Sequence, residues 1–252
     1  MSVRLNGNDN FDLTSGFSND APFSYMGWIR QRAAITLSLS AQYLQLRTSG
    51  GTGLHECRLV GGATNNDLVF NGNGYFVTSA TNSIVTDEWI YVYCLVATGG
   101  GVNCGYMRPG DQALTNSTGT YTTGSTVGYH RMGENQFNVS DVDGNYYNWI
   151  FYNEERSQAE VLNQARRTVP YVTSNIYAWY PFNDSASAAT DFGGNAHTVT
   201  VNGSVSTEDN PPVGWTCSPG NYIYVPSAAA AAASADPKWM RRRTANNAIL
   251  VR

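Results

Sequence analysis

Charge is scarce in this chain. Asp, Glu, Lys and Arg make up only 13% of its 252 residues. Lysine, glutamate and leucine, the strong helix formers, are few, which argues against a helical bundle. No run of 18 apolar residues occurs, so nothing is expected to span a membrane. The opening Met1-Ser2-Val3-Arg4-Leu5-Asn6 lacks the apolar core of a signal peptide. No Cys-x-x-Cys pair exists among the four cysteines, which removes the usual zinc spacing. No Gly-x-Ser-x-Gly elbow is present, and no helix follows Gly99-Gly100-Gly101 to make it a phosphate loop.

Gly, Ser, Thr, Asn and Tyr are plentiful instead. Tyr, Thr and Val suit strands, and Gly and Asn suit turns. Composition therefore points to an all-β chain, and 252 residues suffice for one large sandwich. Ile35 to Leu39 alternates with period two and predicts a half-buried strand, and Tyr43 to Arg47 resumes after a break at Ser40-Ala41-Gln42. Further strands are expected at Phe23 to Arg30, Glu56 to Val60 and Tyr75 to Val77. Trp89 to Val96 is apolar at nearly every position, as in a strand covered on both faces. With Gly99-Gly100-Gly101 and Val102 to Met107 it reads as a hairpin. Ser157-Gln158-Ala159-Glu160 is a capping box and opens one short helix, with Val161, Leu162 and Ala165 as its apolar stripe.

Charge is also unevenly spread. Residues 219–252 hold five cations (Lys238, Arg241, Arg242, Arg243 and Arg252) against Asp236 alone. Their net charge is +4, which leaves −8 on the rest. The expected organisation is a sandwich over 1–218 and a basic arm over 219–252 carrying Lys238, Trp239, Arg241, Arg242 and Arg243. Such an arm suits docking on an acidic neighbour. Nucleic acid is disfavoured as a partner, because the acidic body would repel it. Cys57, Cys94, Cys104 and Cys217 are expected as small buried thiols, although four cysteines allow three pairings. The sequons at Asn116, Asn138, Asn183 and Asn202 are the chance product of Asn-rich turns.

Candidate site residues are few. In Asp141-Val142-Asp143-Gly144-Asn145 alternate oxygens precede a Gly turn. Asp141 and Asp143 could ligate calcium there, yet Asp-Gly is also a plain hairpin turn. No other cofactor is expected. Tyr146 and Tyr147 follow this turn, and one of the pair should face outward as a platform for sugar stacking. His55, His130 and His197 fall in no catalytic motif and are expected at the surface or in turns.

The order of motifs resembles the laminin-G-like, concanavalin A-like superfamily over residues 1–215. It begins with Leu5-Asn6-Gly7, then Phe23 to Ile29, and then a Trp-led hairpin at Trp89 to Met107. Next come Trp149-Ile150-Phe151-Tyr152-Asn153 and the Ser157 helix. Trp179-Tyr180-Pro181-Phe182, Asp191-Phe192-Gly193-Gly194-Asn195 and Pro211-Pro212-Val213 resemble phage and marine bacterial members. One stretch departs: Tyr146-Tyr147-Asn148 stands where the family often has Ile-Asp-Glu. Glycosidases of this fold carry Glu-x-Asp-x-x-Glu on one strand, and this chain has no such spacing. The resemblance implies a jelly roll of two antiparallel sheets and a non-enzymatic virion structural protein, such as a capsid decoration or fibre component. Neighbouring copies and other virion proteins would be its partners. The alternative is a carbohydrate-binding module for cell-surface glycans, and a glycoside hydrolase ranks third.

Overall fold

The computed structural model describes residues 1–7, 9–13, 22–36, 39–47, 53–72, 75–121, 129–133, 142–186, 188, 190–195, 197 and 199–213. These form fifteen strands and one helix. In chain order they are β1 Ser2–Leu5, β2 Asn10–Leu13, β3 Phe23–Gln31, β4 Ser40–Arg47, β5 Gly53–Gly61, β6 Asn66–Gly72, β7 Tyr75–Ile84 and β8 Trp89–Val96. They continue with β9 Gly101–Met107, β10 Thr115–Thr120, β11 Tyr129–Met132, β12 Gly144–Tyr152, α1 Gln158–Gln164, β13 Ile176–Tyr180, β14 Val199–Asn202 and β15 Val205–Glu208.

Two antiparallel sheets result. The first runs β10-β9-β8-β3-β12-β1-β15, with β13 also paired to β12, and the second runs β14-β2-β11-β4-β5-β6-β7. This is the expected all-β jelly-roll sandwich with one short helix. The boundary at 218 and the arm over 219–252 lie outside the described residues.

The two sheets treat water differently. On the second sheet, β5 alternates strictly: His55, Cys57 and Leu59 are buried, while Glu56, Arg58 and Val60 are half-exposed. Its outer face carries a cross-strand row in which Asp12, Arg131, Gln45, Glu56 and Asn71 stand in register. Arg131 Nε bonds Asp12 at 2.7 Å, and Gln45 Nε2 donates to Glu56 at 2.8 Å. The centre of the first sheet is covered on both faces, so all eight residues of β8 are buried. Ile90, Val92, Cys94 and Val96 enter the core between the sheets. Trp89, Tyr91, Tyr93 and Leu95 enter a second core on the outer face. Val161 of α1 and the capping Ala165, with Leu114, Leu162, Ile176, Trp179 and Val213, lie over that second core.

The helix is where its capping box requires. The Ser157 hydroxyl accepts from Glu160 N, and the Glu160 carboxylate accepts from Ser157 N at 2.7 Å. Two turns of helix do not hold alone in water, so packing on the second core supplies the rest. Cys57, Cys94 and Cys104 are buried and form no disulfide among the described residues, and burial pushes the Cys104 thiol up to about 12. Cys217 lies outside the described residues.

Two strand expectations are corrected. Ile35 and Thr36 belong to no strand. They pass close over β5, where a Cβ on Gly61 would stand 2.4 Å from the Thr36 carbonyl. Ser40-Ala41-Gln42 is not a break but the start of β4, in register with Val60, Leu59 and Arg58. A period-two pattern marks a strand only if a neighbouring backbone is available to pair with it.

β12 contains the main irregularity. Tyr147 pairs with Trp28 and Ile150 with Met26, so Asn148 and Trp149 both stand opposite Gly27. This is a β-bulge. Asn148 takes φ +52°, in the left-handed region that Asn tolerates better than most residues. The extra residue shifts the phase of the strand. Tyr146, Trp149 and Phe151 therefore enter the inner core, and Tyr147, Ile150 and Tyr152 the outer one. Trp149 lies against the bare Cα of Gly27, where an added Cβ would come within 2.4 Å of the indole. Gly27→Ala should therefore destabilise the fold by about 1–3 kcal/mol through overpacking. A lower urea midpoint at unchanged slope, with loss of near-ultraviolet tryptophan dichroism, checks this; an unchanged midpoint would mean the indole is not seated on Gly27.

Candidate functional site

The residues singled out from the sequence are distributed differently from expectation. Tyr146 and Tyr147 are both buried, at 0% and 4% exposure, so neither presents an outward platform. The physical reason is the double coverage of the first sheet: alternation sends each tyrosine into a different core. The Tyr146 hydroxyl donates to the Tyr43 carbonyl at 3.2 Å, and burial pushes the Tyr147 phenol up to about 12. Asp143 is paired with Arg4 at 2.8 Å. Asp141 lies outside the described residues, as do Lys238, Trp239, Arg241, Arg242 and Arg243. Among the described residues no group of three or more His, Cys, Asp and Glu side chains is placed to hold a metal. No helix among them is long and apolar enough to cross a membrane.

Two histidines also correct the expectation. His55 and His130 are fully buried. His55 meets the Phe23 ring edge-on at 4.7 Å, and His130 stacks on Phe151 at 5.3 Å. Each serves as a neutral aromatic disc. His197 is half-buried and stacks on Tyr177 at 4.2 Å.

The surface with the most recognition chemistry was not singled out from the sequence. It is built where α1, β12 and β13 meet on the outer face of the first sheet. The chain leaves α1 through Arg166 and Arg167 and turns at Pro170. Buried Gln164 fastens this turn: its Nε2 donates to Val169 O at 3.1 Å, and its Oε1 accepts from Tyr171 N. Tyr171 is thereby held 42% exposed, with the Arg167 guanidinium 4.7 Å from its ring centroid.

Asn148 ties this turn to β13. Its Nδ2 donates to Arg167 O at 2.9 Å, and its Oδ1 accepts from Trp179 Nε1 at 2.8 Å. The indole of Trp179 is half-buried and meets Phe192 at 5.8 Å. Phe192 is 50% exposed. Asp191 positions it. One carboxylate oxygen accepts from Trp179 N at 2.9 Å and Gly193 N at 2.7 Å, and the other accepts from His197 N at 3.1 Å. Asn195 Nδ2 donates to Tyr177 O at 2.7 Å and Ile176 O at 3.1 Å. The turn from Asp191 to Asn195 thus covers the outer edge of β13, which would otherwise be open to pairing with another chain.

The result is a continuous path of contacts, Tyr171–Arg167–Asn148–Trp179–Phe192. Two exposed aromatic rings, a half-buried indole and a guanidinium are thereby brought onto one surface. The nearby carboxylates are committed: Asp191 to three backbone N–H groups, Glu160 to the helix cap and Glu154 to Arg156.

No family model matches the chain, and no curated protein matches its sequence. Solved structures share its fold. A heptameric SAP-like pentraxin from Limulus polyphemus is 11% identical with a TM-score of 0.55, over 81% of this chain and 92% of that one. A putative carbohydrate-binding protein from Bacteroides ovatus is 14% identical with a TM-score of 0.59, over 83% of this chain and 60% of that one. Tailspike protein 2 of the Escherichia coli O157:H7 bacteriophage CAB120 is 7% identical with a TM-score of 0.50, over 68% of this chain and 25% of that one.

Burial holds the His130 pKa down to about 3, with nearby His197 adding to the effect, and holds His55 down to about 3. Unfolded histidine titrates near ~6.5. Below that pH the unfolded chain binds protons that the folded core refuses, so stability falls as pH drops from about 6.5 towards about 3. The slope is about 1.4 kcal/mol per pH unit for each histidine. His130→Phe should remove one of these slopes, losing about 2–3 kcal/mol less than the native chain between pH 7 and pH 4.5. Urea unfolding at both pH values measures this; equal losses would show that His130 titrates normally in the fold. What the chain shares with the pentraxin, the carbohydrate-binding protein and the tailspike is the fold, an antiparallel jelly-roll sandwich.

Proposed function

We propose that this chain is a non-enzymatic, carbohydrate-binding jelly-roll sandwich displayed on a phage virion, as a capsid decoration or fibre component. The observation that carries the sugar-binding reading is the pair of exposed rings, Tyr171 and Phe192, joined through Arg167, Asn148 and Trp179. The C–H faces of sugar rings stack on aromatic side chains, and preorganised rings lose little freedom on binding. Single sugar contacts are weak, and many copies on one particle would raise them through effective concentration. The carboxylates beside this surface are occupied by backbone N–H groups, the helix cap or Arg156. A glycosidase instead needs two free carboxyl groups facing one bond. The virion setting is supported by the resemblance to phage-encoded sandwiches and by the fold shared with a tailspike.

Electrophoresis through gels containing a panel of neutral and acidic polysaccharides tests the binding reading. At least one should retard the native chain. Tyr171→Ala and Phe192→Ala should each weaken that retention by about tenfold, on the order of one stacking contact, at unchanged unfolding midpoint. Retention that both variants keep would place binding elsewhere, and release of reducing ends would make the chain an enzyme.

The arm carries the assembly half of the proposal. A +4 segment at 219–252 on a −8 body favours docking on a neighbouring copy. Light scattering should find the full chain oligomeric and a chain ending at Ser218 a folded monomer. If both are monomers, the arm does not drive self-assembly.

A further inference from the structure

Arginine is distributed unevenly over the described residues. Seven arginines each face a carboxylate within 4 Å. Arg166 and Arg167 stand in no ion pair among the described residues, although the chain carries more Asp and Glu than Lys and Arg. Arg166 Nη2 reaches only the Asp111 carbonyl, at 3.4 Å. Arg167 is exposed, and its guanidinium lies over the Tyr171 ring. Compensation of the α1 dipole does not require that placement, since it needs only a cation near the last turn and no contact with a ring. The ring holds the guanidinium on an exposed residue, where its N–H groups can meet a ligand. A guanidinium can bind a carboxylate in two-point geometry.

We propose that this surface selects carboxylate-bearing glycans, with Tyr171 and Phe192 stacking on sugar rings and Arg167 pairing with a uronate carboxylate. The inference rests on the glycan-binding reading above and names the ligand class of that same surface. The acidic body would keep polyanions away elsewhere. The local pair Arg166 and Arg167 offsets this, while the carboxylate oxygens of Asp191 are taken up by three backbone N–H donors. Ion pairing also makes the contact depend on salt, whereas stacking does not.

Polygalacturonate and its carboxyl-reduced form have the same sugar backbone and differ only in charge. Affinity electrophoresis of the full chain should show polygalacturonate bound at least tenfold more tightly than the reduced polymer at low salt. Added salt should shrink that gap. Arg167→Gln should bring the two affinities together while keeping the weaker, stacking-borne retention, and Phe192→Ala should weaken both. The basic arm is a competing source of polyanion binding, so Arg241→Gln, Arg242→Gln and Arg243→Gln together form the control and should leave the preference intact. Loss of the preference in that triple variant, with Arg167→Gln unchanged, would overturn the proposal. Equal affinity of the native chain for both polymers would overturn acid selection and leave glycan binding standing. If neither polymer is retained but another polysaccharide is, the site is not one for uronates. If no polysaccharide is retained, the binding reading falls with it.

Discussion

The contact between Trp149 and the bare Cα of Gly27 is the constraint on which most of the first sheet depends. A side chain on Gly27 would collide with the indole, and without that seat β12 could not carry two residues opposite one. The Trp149 indole N–H donates to the Trp28 carbonyl at 3.2 Å and fastens the bulge from within. The phase of β12 changes there, so bulky rings are shared between two cores instead of crowding one. The same bulge puts the Asn148 amide on the outer side, where it joins the end of α1 to β13. Packing inside and recognition chemistry outside thus share one local irregularity, as bulges near functional surfaces often do.

Coverage of the first sheet on both faces has a second consequence. Its outer core is roofed by a seven-residue helix and by the segments around Leu114, Ile176 and Val213. These elements hold little stability of their own and depend on the apolar floor beneath them. The turn from Val169 to Tyr171 is anchored to that roof by buried Gln164, whose amide is satisfied at both ends. A loop held in this way presents its side chains without paying their ordering entropy at each binding event. The second sheet needs no roof, because its outer face is a ladder of mutually bonded polar groups.

Parts of this fold were legible because their signals are local. The apolar run at Trp89 to Val96, the triple-glycine hairpin and the Ser157–Glu160 capping box each reflect contacts among near neighbours in sequence. The polar strands β10, β14 and β15 were not legible. Thr115 to Thr120 has no buried side, and it is a strand only because β9 offers an edge. Ile35 and Thr36 lie in the alternating stretch yet belong to no strand.

The site followed the same division. The sequence by itself determined an all-β chain, a capped helix, small buried thiols, an acidic body and a basic tail, because composition and local spacing decide these. It could not determine which aromatic rings meet water. Tyr146 and Tyr147 look like a platform after a turn, yet a second layer over the sheet buries both. His55 and His130 look like surface polar residues, yet they pack as neutral rings. Tyr171 and Phe192 look unremarkable in sequence, 21 positions apart, and were joined only by a bulge, a glutamine staple and an aspartate turn. Exposure is decided by what the rest of the chain lays over a residue, and only the tertiary structure fixes that.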